Sequence, residues 1–79
     1  MNNVGSRQNG TGFNLYIDNI LHAVIYTIGL IGIQSYKIDK DGAKRMYNIE
    51  LYYPSKTILF EYEDEELWIN ILVEINEYL

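Results

Sequence analysis

The sequence predicts a two-layer α+β domain in the order α-β-β-β-α: a three-stranded antiparallel meander packed by an N-terminal and a C-terminal helix. Three observations predict it. Two turn signals, Asp39–Lys40–Asp41–Gly42 and Pro54–Ser55–Lys56, divide residues 30–62 into three strand-like runs. The connections between those runs are too short for a parallel crossover, so the strands are expected to be antiparallel. The last stretch, 64–78, carries apolar residues at helical spacing behind a capping aspartate.

Taken in order, residues 1–12, MNNVGSRQNGTG, are rich in Asn, Gly and Ser and read as a disordered tail before a domain spanning 13–79. Residues 14–28 admit two readings. At about 100° per residue, Ile17, Ile20, Leu21, Val24, Ile25 and Ile28 share a helical face, Asp18, Asn19, His22, Ala23 and Tyr26 lie opposite, and Gly29 is placed to stop the helix. The β-branched and aromatic run Val24–Tyr26–Ile28 suits a strand instead. The stripe favours the helix, and on its polar face His22 would pair with Asp18 one turn earlier.

Residues 30–38 are apolar on both faces in their first half, as in a well-covered strand. In 45–53 the alternation sends Tyr47, Ile49, Leu51 and Tyr53 one way, and Met46, Asn48, Glu50 and Tyr52 the other. Pro54 cannot donate to a ladder and ends that strand. In 57–62, Ile58, Phe60 and Tyr62 face the core. Asp64 then caps a helix whose first turn holds Glu65 and Glu66, where the dipole favours anions. Leu67, Trp68, Ile71, Leu72, Ile75, Tyr78 and Leu79 fall within about 140° and would cover the sheet.

Seventy-nine residues make one domain near the lower size limit for a self-sufficient core, and no cysteine is present to staple it. Apolar packing or self-association must hold it together. The net charge of −5 belongs entirely to the second half: residues 1–39 balance, whereas 40–79 carry nine acids against four bases. That disfavours direct nucleic-acid binding, which needs a basic stripe, and favours a basic protein partner. The apolar run Ile20–Ile33 is shorter than the roughly 20 residues a membrane span needs. The polar N-terminus lacks the charged region of a signal peptide, and a cytoplasmic location is expected.

Catalytic chemistry is not expected. There is no Cys, no Ser lies near the single His22 in sequence, and no phosphate-cradling glycine loop occurs. No metal or cofactor is expected either: Asp39–Lys40–Asp41–Gly42 lacks the remaining ligands of a calcium loop and reads as a hairpin turn. Two features exceed what a fold requires. Glu61, Glu63, Asp64, Glu65 and Glu66 place five carboxylates in six residues. Helix capping explains part of this, and a docking surface for an Arg- or Lys-rich partner explains the surplus. Ile69 and Val73, spaced i,i+4, fall outside the core arc, where they suit a partner contact, a homodimer seam or a deeper core. Tyr52 and Tyr62 are candidate aromatic anchors.

The segment YNIELYYPSKTILFEYEDEEL, residues 47–67, resembles in type and charge layout small acidic phage-encoded inhibitors, notably anti-CRISPR proteins that block Cas nucleases. The resemblance implies a non-enzymatic inhibitor acting in the host cell's cytoplasm, its acids occupying a nuclease's basic DNA-binding surface. The N-terminal half, whose charges sum to zero, departs from full DNA mimicry and leaves a local plug as the better form. The leading expectation is therefore a protein-binding inhibitor of a larger basic partner. The alternatives are an oligomer that sequesters a nucleotide-like ligand between tyrosines, and a self-associating structural subunit.

Overall fold

In the computed structural model, which describes residues 3–40, 42 and 44–79, two three-stranded antiparallel sheets precede a single helix. Strands β1 (Val4–Gln8), β2 (Gly12–Ile17) and β3 (Ile20–Tyr26) form the first sheet in that order. Strands β4 (Gly32–Lys40), β5 (Lys44–Tyr53) and β6 (Lys56–Tyr62) form the second, and α1 (Glu65–Asn76) follows. The chain is α+β, but the expected order α-β-β-β-α is overturned. Among the described residues no helix precedes the meander, and a second sheet stands in its place.

The reason lies in Asp18 and Asn19. Their φ values are 51° and 67°, two consecutive left-handed residues that make the tight hairpin turn matching the twist of antiparallel strands. Asn and Asp tolerate this conformation better than other non-glycine residues. Ile17 and Ile20 close the turn as a cross-strand pair, and the β-branched residues that gave a helical stripe instead alternate across two strands. His22 therefore does not pair with Asp18. Asp18 accepts a hydrogen bond from the Asn3 amide at 2.9 Å, while His22 Nε2 lies 2.8 Å from the Tyr62 hydroxyl.

The stretch expected to be a disordered tail contains β1. Its few apolar residues suffice because β2 supplies the ladder from Val4↔Ile17 to Gln8↔Phe13 and α1 supplies contacts from the other side. Ser6 donates to Glu74 Oε2 at 2.6 Å and lies 3.0 Å from the Tyr78 hydroxyl, and Tyr78 stacks on Phe13 with ring centroids 4.1 Å apart. The β1–β2 turn is held by Asn9, whose side-chain oxygen accepts from the amides of Thr11 at 3.1 Å and Gly12 at 2.9 Å. Gly12 is required by close approach. A Cβ there would lie 1.9 Å from the Ile25 carbonyl oxygen.

The meander and the last helix follow the sequence pattern except at two places: Leu79, expected on the covering face, lies beyond the end of α1 and is exposed, and Asn48, set opposite the core face, is buried. Ile49 and Leu51 are fully buried in β5, Tyr62 is buried at the end of β6, and Trp68, Ile71 and Ile75 of α1 join them. Asp64 caps the helix by accepting from the Glu66 amide at 2.9 Å. Gly42 has the positive φ its turn was expected to need, while Asp41 of the same turn lies outside the described residues. Phe13, Leu15 and Ile25 from the first sheet complete one core shared by both sheets and the helix. The Trp68 indole donates to the Asn48 carbonyl at 3.0 Å, which ties α1 to the central strand. No helix among the described residues is long and apolar enough to cross a membrane.

Candidate interaction surface

The acidic segment connecting β6 to α1 lies beside three lysines delivered by β4 and β5. Lys40 Nζ is 3.1 Å from Glu61, Lys44 Nζ is 2.6 Å from Glu63, and Lys37 Nζ is 3.1 Å from Glu65. The antiparallel register brings them close, since the β4–β5 hairpin runs beside the end of β6. The hydrogen bond with Lys44 holds the Glu63 carboxyl below its ordinary range, and the same bond raises Lys44. These pairs are exposed and individually weak. Together they meet much of the like-charge repulsion inside the chain, a cost that the sequence assigned to a partner.

Lys37 has a further task. It sits opposite Tyr47 on the core-facing side of the edge strand β4, and its Nζ lies 6.0 Å from the ring centroids of both Tyr47 and Trp68. An inward-pointing charge on an edge strand blocks pairing with another chain. The β4 edge is thus guarded by Lys37, with Asp39 and Lys40 beyond it.

The remaining predicted residues separate into three groups. Asp64 is spent on the helix cap. Tyr62 points into the core toward His22, only 8% exposed, and offers no surface. Tyr52, on the outer face of the second sheet, gives its hydroxyl to Gln34 at 2.8 Å and Glu50 at 3.1 Å, well along β5 from the acids. Glu66, Ile69 and Val73 stay on the surface together. Ile69 and Val73 are 46% and 54% exposed, and at the helical period Glu66, Ile69, Asn70, Val73 and Glu77 fall within an arc of about 100°. Two apolar side chains are therefore bracketed, about one turn away on each side, by carboxylates with no cation within 4 Å among the described residues.

Comparison with protein-family models, with curated proteins and with solved structures finds no match. The surface must be read from its own chemistry.

Glu77 sharpens that reading. It is the C-cap residue, and the last turn holds no basic side chain. An anion at the negative end of a helix dipole is destabilising, and Glu74 one turn back adds a like charge. Glu66 at the opposite end is favoured by the dipole and needs no partner. Sequence reasoning named Ile69 and Val73 but missed Glu77, which the helix boundary at Asn76 makes significant.

Two open hollows lie elsewhere. One, of about 420 Å³, is lined by Asn3, Gly5, Ser6, Arg7, Tyr16 and Asn19. The other, of about 470 Å³, is lined by Asp39, Gly42, Lys44, Arg45 and Tyr47. Neither of these two hollows brings two tyrosines together.

Proposed function

We propose that this chain is a non-enzymatic interaction module that binds a larger basic protein, and inhibits it by occupying its basic surface. The resemblance to anti-CRISPR inhibitors supplies the inhibitory part of the reading. The contact is the outer face of α1, with Ile69 and Val73 seated between Glu66 and Glu77. The carrying observation is Glu77, an uncompensated carboxylate at the negative end of α1 beside an exposed apolar pair. A lysine or arginine placed there by a partner relieves the dipole cost and the repulsion from Glu74 together.

The same face is poorly suited to a second copy. A two-fold axis through Ile69 and Val73 lays Glu66 against Glu77 when the helices run antiparallel, and like carboxylates against each other when they run parallel. A partner presenting apolar residues flanked by bases fits without that conflict. The acids nearer the turn form a rim, already balanced by Lys37, Lys40 and Lys44.

The test uses calorimetric titration against a panel of basic nucleic-acid-binding proteins with neutral proteins as controls. Binding is expected to weaken steeply with salt, and to fall at least tenfold in Ile69→Ser/Val73→Ser and in Glu66→Lys/Glu77→Lys. Affinity that ignores salt, or that survives both variants, overturns the reading. Glu63 and Glu65 are unsuitable for charge reversal, since each would set a lysine against the lysine it now holds.

A further inference from the structure

A second apolar area lies on the first sheet, away from α1. Leu21, Val24 and Tyr26 form a row along β3, 52%, 43% and 46% exposed. The register places the row on the outer face: Leu21 is opposite Tyr16 and Val24 opposite Asn14, while Phe13, Leu15 and Ile25 fill the core on the inner face. Ile20, also exposed, pairs with the core-packed Ile17 and so belongs to the other face of the hairpin. Scattered exposed apolar residues are ordinary, but a contiguous row on one strand marks a contact surface.

We infer that a second copy of this chain covers this face, giving a two-fold homodimer through the β3 rows. Charge is the first argument. Arg7, opposite Asn14, shares the outer face two strands away, but no Asp, Glu, Lys or Arg occurs from residue 19 to residue 36, so the β3 row itself meets its copy without repulsion. Because it carries no charge to select a foreign surface or an anionic lipid, self-recognition is what its chemistry fits. Symmetry is the second. A two-fold axis near Val24 lays Leu21 of one copy against Tyr26 of the other, and the reciprocal pair forms at the same time. Edge design is the third. β3 is an edge strand of its sheet and carries neither proline nor charge, whereas the β4 edge is guarded by Lys37. A small cysteine-free chain also gains needed burial by association.

The inference is independent of the basic-partner reading, and salt separates the two: an uncharged interface holds at high ionic strength, where binding of a basic protein weakens. The experiment is sedimentation of the intact chain at tens of micromolar, in low salt and in about 1 M salt. A mass of twice 9.3 kDa is expected in both, falling to the monomer in Val24→Glu and staying dimeric in Ile69→Ser/Val73→Ser. As a check free of any folding defect, wild-type dimers mixed from isotope-labelled and unlabelled chains should give intermolecular contacts among residues 20–26. A wild-type monomer overturns the inference, including one that binds neutral lipid vesicles instead. So does a dimer whose intermolecular contacts fall on α1, or one that only the Ile69/Val73 variant disrupts.

Discussion

Glu77→Lys should make the protein more stable and worse at binding. The substitution acts at the end of α1, where the C-cap amide of Glu77 reaches back to the carbonyls of Val73, Glu74 and Ile75 and the last turn holds no cation. It removes an anion from the negative pole and supplies a cation, each worth about 0.3–1 kcal/mol at an exposed site. It also turns the Glu74–Glu77 repulsion into an attraction of about 0.2–0.5 kcal/mol. Glu74 stays anchored by Ser6, so the pair has a fixed member. The expected gain is about 1 kcal/mol, or about 4–8 °C in Tm for a domain of this size. Thermal unfolding followed by circular dichroism at low salt measures it. In about 1 M salt, where the screening length falls to about 3 Å, most of the gain should vanish. A Tm that is unchanged or lower at low salt refutes the argument, because Glu77 would then have an internal role. A stabilised variant that binds a basic partner as well as wild type refutes the assignment of Glu77 to the interface.

Asp64→Ala removes the acceptor for the Glu66 and Leu67 amides and should cost about 1 kcal/mol, read as a lower midpoint in urea. Gly12→Ala forces a Cβ to within 1.9 Å of the Ile25 carbonyl and should cost about 3 kcal/mol. Gly5→Ala, with nothing within 4 Å of the added Cβ, is its control and should be within about 1 kcal/mol of wild type. Burial pushes the Tyr62 phenol up to about 12 from its ordinary 10. The folded state thus holds this proton more tightly than the unfolded chain. The associated stability, about 3 kcal/mol at about 1.4 kcal/mol per pH unit, is fully present below pH 10 and is lost as pH rises through about 12. Tyr62→Phe should flatten that part of the alkaline decline in urea titrations, while losing about 1 kcal/mol near neutrality with the His22 hydrogen bond.

What the sequence disclosed and what it hid divide along physical lines. β5, β6 and α1 were legible because burial, alternation and capping agree there: Ile49 and Leu51 alternate into the core, Pro54 follows the last residue of β5, and Asp64 precedes a helical stripe. The hairpin over residues 12–26 was hidden by a coincidence of periods. Ile17, Ile20, Leu21, Val24 and Ile25 fit a helical face, yet a two-residue turn at Asp18–Asn19 distributes the same residues over both faces of two strands. The turn pair was the decisive signal and the apolar stripe masked it. β1 was missed because its composition is that of a loop. Its order comes from non-local partners, the β2 ladder and the Ser6–Glu74–Tyr78 contacts. Within the site, the five carboxylates were visible as a surplus, but their lysines lie 19–28 residues away in sequence. Once they meet, the unbalanced charge shifts from Glu61–Glu65 toward Glu66 and Glu77. The exposed β3 row was concealed because the helical reading assigned Leu21 and Val24 to the core.

The two surfaces are compatible in one assembly. α1 packs on the core side of the sheets, so its outer face points away from them, while the β3 row lies on the opposite, outer side of the first sheet. Joining two copies through β3 therefore leaves both helix faces uncovered and directed outward. On the two proposals together, such a dimer would engage two basic sites at once when they lie on one target or one array, and linked engagement strengthens apparent binding by on the order of 100-fold or more without a new contact. Val24→Glu then has a specific signature. It should leave the affinity of each α1 face for a basic protein free in solution unchanged, and weaken retention on a surface densely coated with that protein. Equal losses in both formats would place Val24 in the partner contact itself. No loss in either would mean that dimerisation, if retained, contributes nothing to capture. The split between the two formats is the expected result, because Val24 is remote from Glu77 and touches only the geometry by which two α1 faces are presented together.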